Sequence, residues 1–229
     1  MNVVILAGGF GTRFKEFTKH MPKPMIPVLG RPIITHIMEH FIKFGFKNFI
    51  IATGYKHKII ENYFKKKEKK WNVQTIYTGK NTMTGGRILR LKKFLSNKRF
   101  FATYGDGISN VNLKKLLNFH NKKNKIATLT AVRPPARFGA IKINGSKVKV
   151  FREKSKLDEG WINGGFFVFE STIFEYLNND QTFLEKEPLV NLSKKGELLA
   201  YKHHGFWQCM DTHRDKEIME KELKKRKNV

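Results

Sequence analysis

Apolar runs broken by glycine, asparagine and lysine divide the chain into alternating strands and helices. Asn2 to Ala7 is almost wholly apolar and reads as a short buried strand. Pro32 then precedes Ile33, Ile34, Ile37, Met38 and Phe41, a helical spacing, and proline suits a first helical turn. Gly45 ends this helix, and Asn48 to Thr53 is a second strand-length run. Strand, helix and strand in succession form a βαβ unit, which calls for a mostly parallel sheet. His57 to Lys67 predicts a second helix with Ile59, Ile60 and Phe64 on its apolar side, and Val73 to Tyr77 a third strand.

Thr82 to Arg87 (TMTGGR) reads as a glycine-containing loop before a helix that carries Ile88, Leu91, Phe94 and Leu95. Arg99 to Tyr104 is a fourth strand. Asn112 caps a helix to about His120, and Ile126 to Val132 is a further strand. Phe138 to Ile143 and Lys147 to Phe151 predict a hairpin joined at Asn144-Gly145. Trp161 to Glu170 leads into the apolar strand Phe166–Phe169, and Ser171 is placed to cap Thr172 to Leu177. A helix over Leu184 to Lys194, a strand over Leu198 to His203 and a final lysine-rich helix complete the pattern. No linker and no repeat interrupts it. The expected fold is one α/β unit: a Rossmann-like, mostly parallel mixed sheet flanked by helices, with the hairpin as a small β-rich lobe over the sheet edge.

Composition narrows the setting. No apolar run reaches the roughly 18 residues of a membrane span, and no basic segment precedes the first apolar stretch as in a signal peptide. The single cysteine, Cys209, excludes an internal disulfide framework and fits a reducing, cytoplasmic compartment. The formal charge of +26 points to an anionic partner. Its lysines are scattered, with clusters at Lys65–Lys70, Lys122–Lys125 and Lys221–Lys227, and no zinc-finger or aromatic RNA-binding pattern accompanies them. A basic surface on an enzyme of anionic substrates fits this better than a specific nucleic-acid partner.

Three groups could do chemistry. Gly8, Gly9, Gly11, Thr12 and Arg13 leave the first strand, and Lys23 follows between two prolines. Such a turn offers backbone N–H groups to an anion, and a basic pair behind it has no purely structural purpose. The order is neither the dinucleotide fingerprint nor a Walker loop. Asp106 and Asp211 each follow an apolar stretch. Together they suit a magnesium ion; alone, Asp106 suits a turn and Asp211 the cap of the last helix. Glu153, Lys154, Asn163, Gly164 and Gly165 suit the hydroxyls and phosphate of a polar ligand. The remaining polar residues carry less. His203 and His204 face opposite ways on a strand, His20 and His120 have no partner at ligand spacing, Cys209 reads as packing, and Trp207 as core or pocket wall.

In this order, LAGGFGTR, PKPM, GRPI, YGDG, RFGA, EK, INGGFF, GFWQ and MDT resemble the sugar-phosphate nucleotidyltransferase family over essentially the whole chain. TGKNTMTGGR and HHGFWQCMDTHRDK are most similar to its members that use CTP and glucose 1-phosphate. The resemblance implies transfer of CMP from CTP to a sugar 1-phosphate, with thymidylyl, uridylyl or guanylyl transfer, or another phosphorylated acceptor, as alternatives. It assigns residues 1–125 mainly to the nucleotide and 126–229 mainly to the acceptor. Leu6, Gly8, Gly9, Gly11, Thr12, Arg13, Lys23, Thr78, Gly79, Thr84, Gly85 and Arg87 would serve the nucleotide. Gly139, Glu153, Lys154, Asn163 and Gly164 would serve the acceptor. Asp106 and Asp211 would hold Mg2+, with Arg13, Lys23 and Asp106 as the catalytic set. Two departures stand out. The family's segment between Phe64 and Trp71, near its nucleotide and subunit contacts, is longer than Lys65–Lys70 here, which leaves the base and a homo-oligomer open. Ser155 replaces the proline that usually follows Glu-Lys, which frees the local backbone.

Overall fold

The computed structural model describes residues 1–66, 71–95, 97–134, 140–152 and 160–227. In chain order the elements are β1 (Asn2–Ala7), α1 (Lys15–Thr18), β2 (Pro27–Val28), β3 (Arg31–Pro32), α2 (Ile33–Lys43), β4 (Asn48–Thr53), α3 (His57–Lys66) and β5 (Asn72–Tyr77). Then come α4 (Thr84–Leu89), α5 (Lys92–Leu95), β6 (Phe100–Tyr104), β7 (Gly107–Ser109), α6 (Leu113–Asn121), β8 (Ala127–Val132), β9 (Ala140–Asn144) and β10 (Lys147–Arg152). The last are β11 (Ile162–Phe169), α7 (Glu187–Lys194), β12 (Leu198–His203), β13 (Trp207–Cys209) and α8 (His213–Lys227).

Seven strands form one sheet in the order β12-β8-β11-β6-β1-β4-β5. β6, β1, β4 and β5 pair in parallel, as do β8 and β12, and β11 runs antiparallel to both of its neighbours. Residues 1–125 and 126–229 thus share a single sheet. Side chains alternate along each central strand. Val3 and Ile5, Phe49 and Ile51, Phe101, and Phe166 and Val168 face the layer holding α2, α6 and α8. Val4 and Leu6, Ile50 and Ala52, Phe100 and Ala102, and Phe167 and Phe169 face α4, α5 and α7. Burial on both faces explains why these strands read as continuous apolar runs. The hairpin β9–β10 forms its own two-stranded sheet. Among the described residues no helix is long and apolar enough to cross a membrane.

Two local expectations are corrected. TMTGGR is not a loop: Thr84, Gly85, Gly86 and Arg87 begin α4. Glycines cost about 1 kcal/mol each in a helix, but a β-carbon on Gly86 would lie 2.5 Å from the backbone of Asp180. Met83 N–H donates to Asp180 O and Gly86 N–H to Thr182 O, so this helix is built against the segment before α7. Ser171 is also not a cap: it opens a 3-10 turn over Ser171–Tyr176, which Glu170 precedes without a side-chain bond. Asn112 does cap, accepting from Lys115 N–H at 2.9 Å. Asn112→Ala should therefore lower the unfolding free energy by about 1 kcal/mol. Ser171→Ala should change it by less than half of that, both read by urea denaturation.

Candidate active site

Strand direction gathers the site. The C-terminal ends of β1, β4, β5 and β6 lie along one edge of the sheet, where open α/β sheets bind ligands. Because β11 is reversed, its beginning, with Asn163, falls on that same edge. A second pairing closes the arrangement. β13 pairs antiparallel with β7, setting Cys209 opposite Gly107, and Met210 N–H donates to Asp106 O. Asp106 and Asp211 meet through this short ladder, which links motifs from opposite ends of the chain.

Both aspartates converge on Lys23. Its Nζ lies 2.6 Å from Asp106 Oδ2 and 2.7 Å from Asp211 Oδ1, and Arg13 Nη1 lies 2.6 Å from Asp211 Oδ2. Pro22 and Pro24 restrict the backbone on either side of Lys23, and Pro24 packs where a β-carbon on Gly105 would come within 2.8 Å. Among the described residues, the buried Lys, Arg, Asp and Glu side chains are Lys23, Arg87, Asp211 and Asp215, all in or against this site. Burial works against the Lys23 ammonium, but Asp106 and Asp211 outweigh it and raise its pKa. Burial likewise works against the Asp211 carboxylate, but Lys23 and Arg13 lower its pKa.

Asp211 is not the cap of the last helix. Thr212 and Asp215 do that work: Asp215 N–H donates to Thr212 Oγ1, and Asp215 Oδ2 accepts from Thr212 N–H at 2.9 Å. The pattern Thr-x-x-Asp was visible in the sequence. Asp211 is thereby left for the cluster. Cys209 sits 3.6 Å from Asp211 Oδ2, and burial, with the nearby carboxylates, pushes its thiol up to about 12. It therefore stays protonated near neutrality. Two carboxylates that already enclose one cationic nitrogen form a donor set suited to magnesium, which binds through one or two carboxylates and completes its shell with phosphate and water oxygens.

The glycine loop is braced from beneath by Arg87. Its guanidinium donates to Gly8 O at 2.9 Å, Thr53 O at 3.2 Å, Thr78 Oγ1 at 2.9 Å and Gly79 O at 2.7 Å. One side chain thus ties together the loops after β1, β4 and β5. Burial, reinforced by Arg90, lowers its pKa to about 10, so it remains charged near neutrality. A β-carbon on Gly8 would lie 2.2 Å from this guanidinium, which explains that glycine, whereas around Gly9 there is open space. Gly9, Thr12 and Arg13 are exposed, while Leu6, Thr78, Gly85 and Arg87 are buried.

At the other end lie Asn163 and Gly164; Gly139, Glu153 and Lys154, with Ser155, lie outside the described residues. The INGG motif has a packing logic. Gly165 has φ +79°, and a β-carbon there would lie 2.4 Å from the Tyr104 ring. Asn163 Oδ1 folds back to accept from Gly165 N–H at 2.9 Å, and Gly164 O accepts from Trp207 Nε1 at 2.7 Å. Trp207 is thus a half-buried wall residue. His203, the last residue of β12, turns to Asn110, and His204, just past the strand, packs against Trp161.

Sequence reading missed Tyr104 and Glu185. Glu185 Oε1 accepts from Tyr104 O–H at 2.5 Å and Oε2 from Thr84 Oγ1–H at 2.6 Å, and Tyr104 accepts from Asn163 Nδ2 at 3.3 Å. Burial, then the Glu185 carboxylate, raises the Tyr104 phenol's pKa far above its usual range. Tyr104 was signalled by its place at the end of β6, beside Asp106. Nothing near Glu185 in the sequence distinguishes it.

Known proteins share this architecture. A family model described as nucleotidyl transferase matches residues 2–215. Glucose-1-phosphate cytidylyltransferase of Salmonella typhimurium is 43% identical over 243 residues, covering 96% of this chain and 95% of that protein. A probable glucose-1-phosphate cytidylyltransferase of Bacillus subtilis is 39% identical, covering 94% of this chain and 93% of its own. The crystal structure of HddC from Yersinia pseudotuberculosis superposes with a TM-score of 0.79 at 25% identity, covering 97% of this chain and 99% of that one.

Two substitutions test the framework. Arg87→Met takes the donor from Gly79 O and unties the three loops, although Gly8 O keeps Tyr55 N–H and Thr53 O keeps Thr78 N–H, and should lower the unfolding free energy by about 2 kcal/mol. Lys23→Met leaves Asp211 buried with Arg13 alone, and should cost about 3 kcal/mol at pH 7. The lowered Asp211 pKa means its stabilisation is complete above 3.8 and lost as pH falls through the folded value. The raised Lys23 pKa means its share is complete below 10.5 and lost as pH rises through the folded value. Denaturation at several pH values should therefore show the Lys23→Met deficit flat across neutrality and shrinking below pH 3.8. A deficit that persists unchanged in acid would refute the pairing.

Proposed function

The chain belongs to the nucleotidyl transferase family, and on that footing we propose that it transfers CMP from CTP to glucose 1-phosphate, giving CDP-glucose and pyrophosphate. Transfer of a nucleotidyl group to a sugar 1-phosphate is the reaction class of its relatives. The observation that carries the class here is the cluster of Lys23, Arg13, Asp106 and Asp211 at the mouth of the glycine loop. The choice of CTP and glucose 1-phosphate is supported by the 43% identity, over nearly the full length of both chains, to the Salmonella cytidylyltransferase.

An oxygen of the sugar phosphate attacks the α-phosphorus of CTP, the bond from that phosphorus to the bridging oxygen breaks, and pyrophosphate leaves with the electron pair. The nucleophile is already an anion, so no strong general base is needed. A site without a serine–histidine–aspartate constellation is what this chemistry asks for. The barrier lies in bringing two anions together and in the charge that builds at the α-phosphate. Asp106 and Asp211 would hold a magnesium ion, which supplies charge neutralisation for the phosphates when bound. Lys23 would exchange carboxylate partners for phosphate oxygens, and the exposed Arg13 offers a fork of donors to the same group. The glycine loop, braced by Arg87, would let the base and phosphates approach the backbone.

Pyrophosphate release, measured over four NTPs and several sugar 1-phosphates with magnesium present, should be highest for CTP with glucose 1-phosphate. No turnover with CTP would remove the base assignment and leave the reaction class standing. Asp106→Ala should lower kcat by at least about a hundredfold, the scale set by losing one transition-state charge contact. Its fold should persist, because Lys23 keeps Asp211.

A further inference from the structure

The hydrogen bonds that run from α4 to β11 all point toward one carboxylate. Glu185 is exposed, yet it accepts from Thr84 Oγ1–H and from Tyr104 O–H. A carboxylate can only accept, so it fixes the proton direction of both hydroxyls. Thr84 Oγ1 also accepts from Leu184 N–H at 2.9 Å, so this hydroxyl is committed to the protein on both sides. Tyr104, having given its proton to Glu185, offers Asn163 a lone pair and nothing else. Asn163 must therefore meet it with Nδ2, which agrees with Oδ1 taking the Gly165 N–H. The amide is left with one N–H that no described residue accepts.

We infer that Glu185 is a positioning residue for the acceptor: through Tyr104 it locks the Asn163 amide so that one N–H is presented to a hydroxyl oxygen of the sugar. The inference rests on the acceptor being a sugar 1-phosphate, and not on the base being cytosine. Without an acceptor-only group at this position, Tyr104 could turn its proton toward Asn163, and the amide would no longer be held in one orientation. A glutamine could keep the lock by turning Oε1 to Tyr104 and Nε2 to Thr84 Oγ1, whereas a leucine removes the acceptor altogether. Tyr104 and Asn163 are further fixed by Gly165, whose left-handed backbone leaves room for the ring.

The test uses the full-length enzyme and whichever NTP and sugar 1-phosphate pair turns over best in the panel above. Glu185→Leu should raise the KM for the sugar 1-phosphate about tenfold, equivalent to about 1.4 kcal/mol. The KM for the NTP should change less than twofold. The same substitution in a Tyr104→Phe background should add nothing, since the route through the phenol is already gone. A merely structural Glu185 would shift both KM values together, or would act equally in both backgrounds, and either result overturns the inference. Should Glu185→Leu not fold, Tyr104→Phe alone must reproduce the selective rise in sugar KM, and an unchanged value overturns the inference as well. An active wild type with an unaltered Glu185→Leu enzyme sinks this inference alone. A wild type active with no pair sinks the reaction class and this inference with it.

Discussion

The rest of the structure depends on keeping one buried lysine charged. Lys23 sits 83 residues from Asp106 and 188 from Asp211 in the chain, yet both carboxylates reach its ammonium. A buried charge without partners is costly by several kcal/mol, so the fold must bring these three segments together. The parallel strands deliver Asp106 past the end of β6, the β7–β13 ladder delivers Asp211, and the flanking prolines hold Lys23 against Gly105. The capping of α8 by Thr212 and Asp215 then leaves Asp211 with no competing duty.

Much of this was legible in the chain. The strands Asn2–Ala7 and Asn48–Thr53 stand where their apolar runs place them, because burial on both faces leaves an unmistakable pattern, and the partly buried edge strand Leu198–His203 also stands where it was expected. The TGGR segment was misread because glycine signals a turn when only local propensity is weighed. Here the glycines are needed for close approach to Asp180 and Thr182, about 95 residues away in sequence, and no local rule reveals such a contact. The β7–β13 ladder was hidden for a related reason: three-residue strands carry too few positions to show alternation.

The candidate site divides in the same way. Residues whose chemistry is unusual for their surroundings, such as Lys23 between prolines or paired aspartates past strand ends, announce themselves. Residues that act by restricting others do not. Arg87 was picked out only through the family resemblance, and its bonds to Gly8, Thr53 and Gly79 required the fold to be seen. Glu185 lies in an acidic and basic stretch where no residue stands apart, and its meaning comes only from Tyr104 and Thr84.

Charge balance links these parts. Lys23 and Arg13 offset Asp106 and Asp211, so the cluster is neutral on its own and Lys23 and Asp211 can be buried, with Arg13 exposed at its rim, before any substrate arrives. Phosphates need not overcome an organised negative patch, since each carboxylate is already paired. Nor do they meet a free lysine, since Lys23 is already held in place by the groups it would leave. The cost of ordering Lys23 is met during folding, and in the proposed mechanism substrate binding is an exchange of partners around a fixed nitrogen. The chain's net charge of +26 adds a long-range attraction for anions. That attraction falls with salt, whereas the exchange proposed at Lys23 would take place at a buried nitrogen where screening is weak. Capture of the two anionic substrates and the chemistry between them therefore rest on different charges, and ionic strength should act on the first far more than on the second.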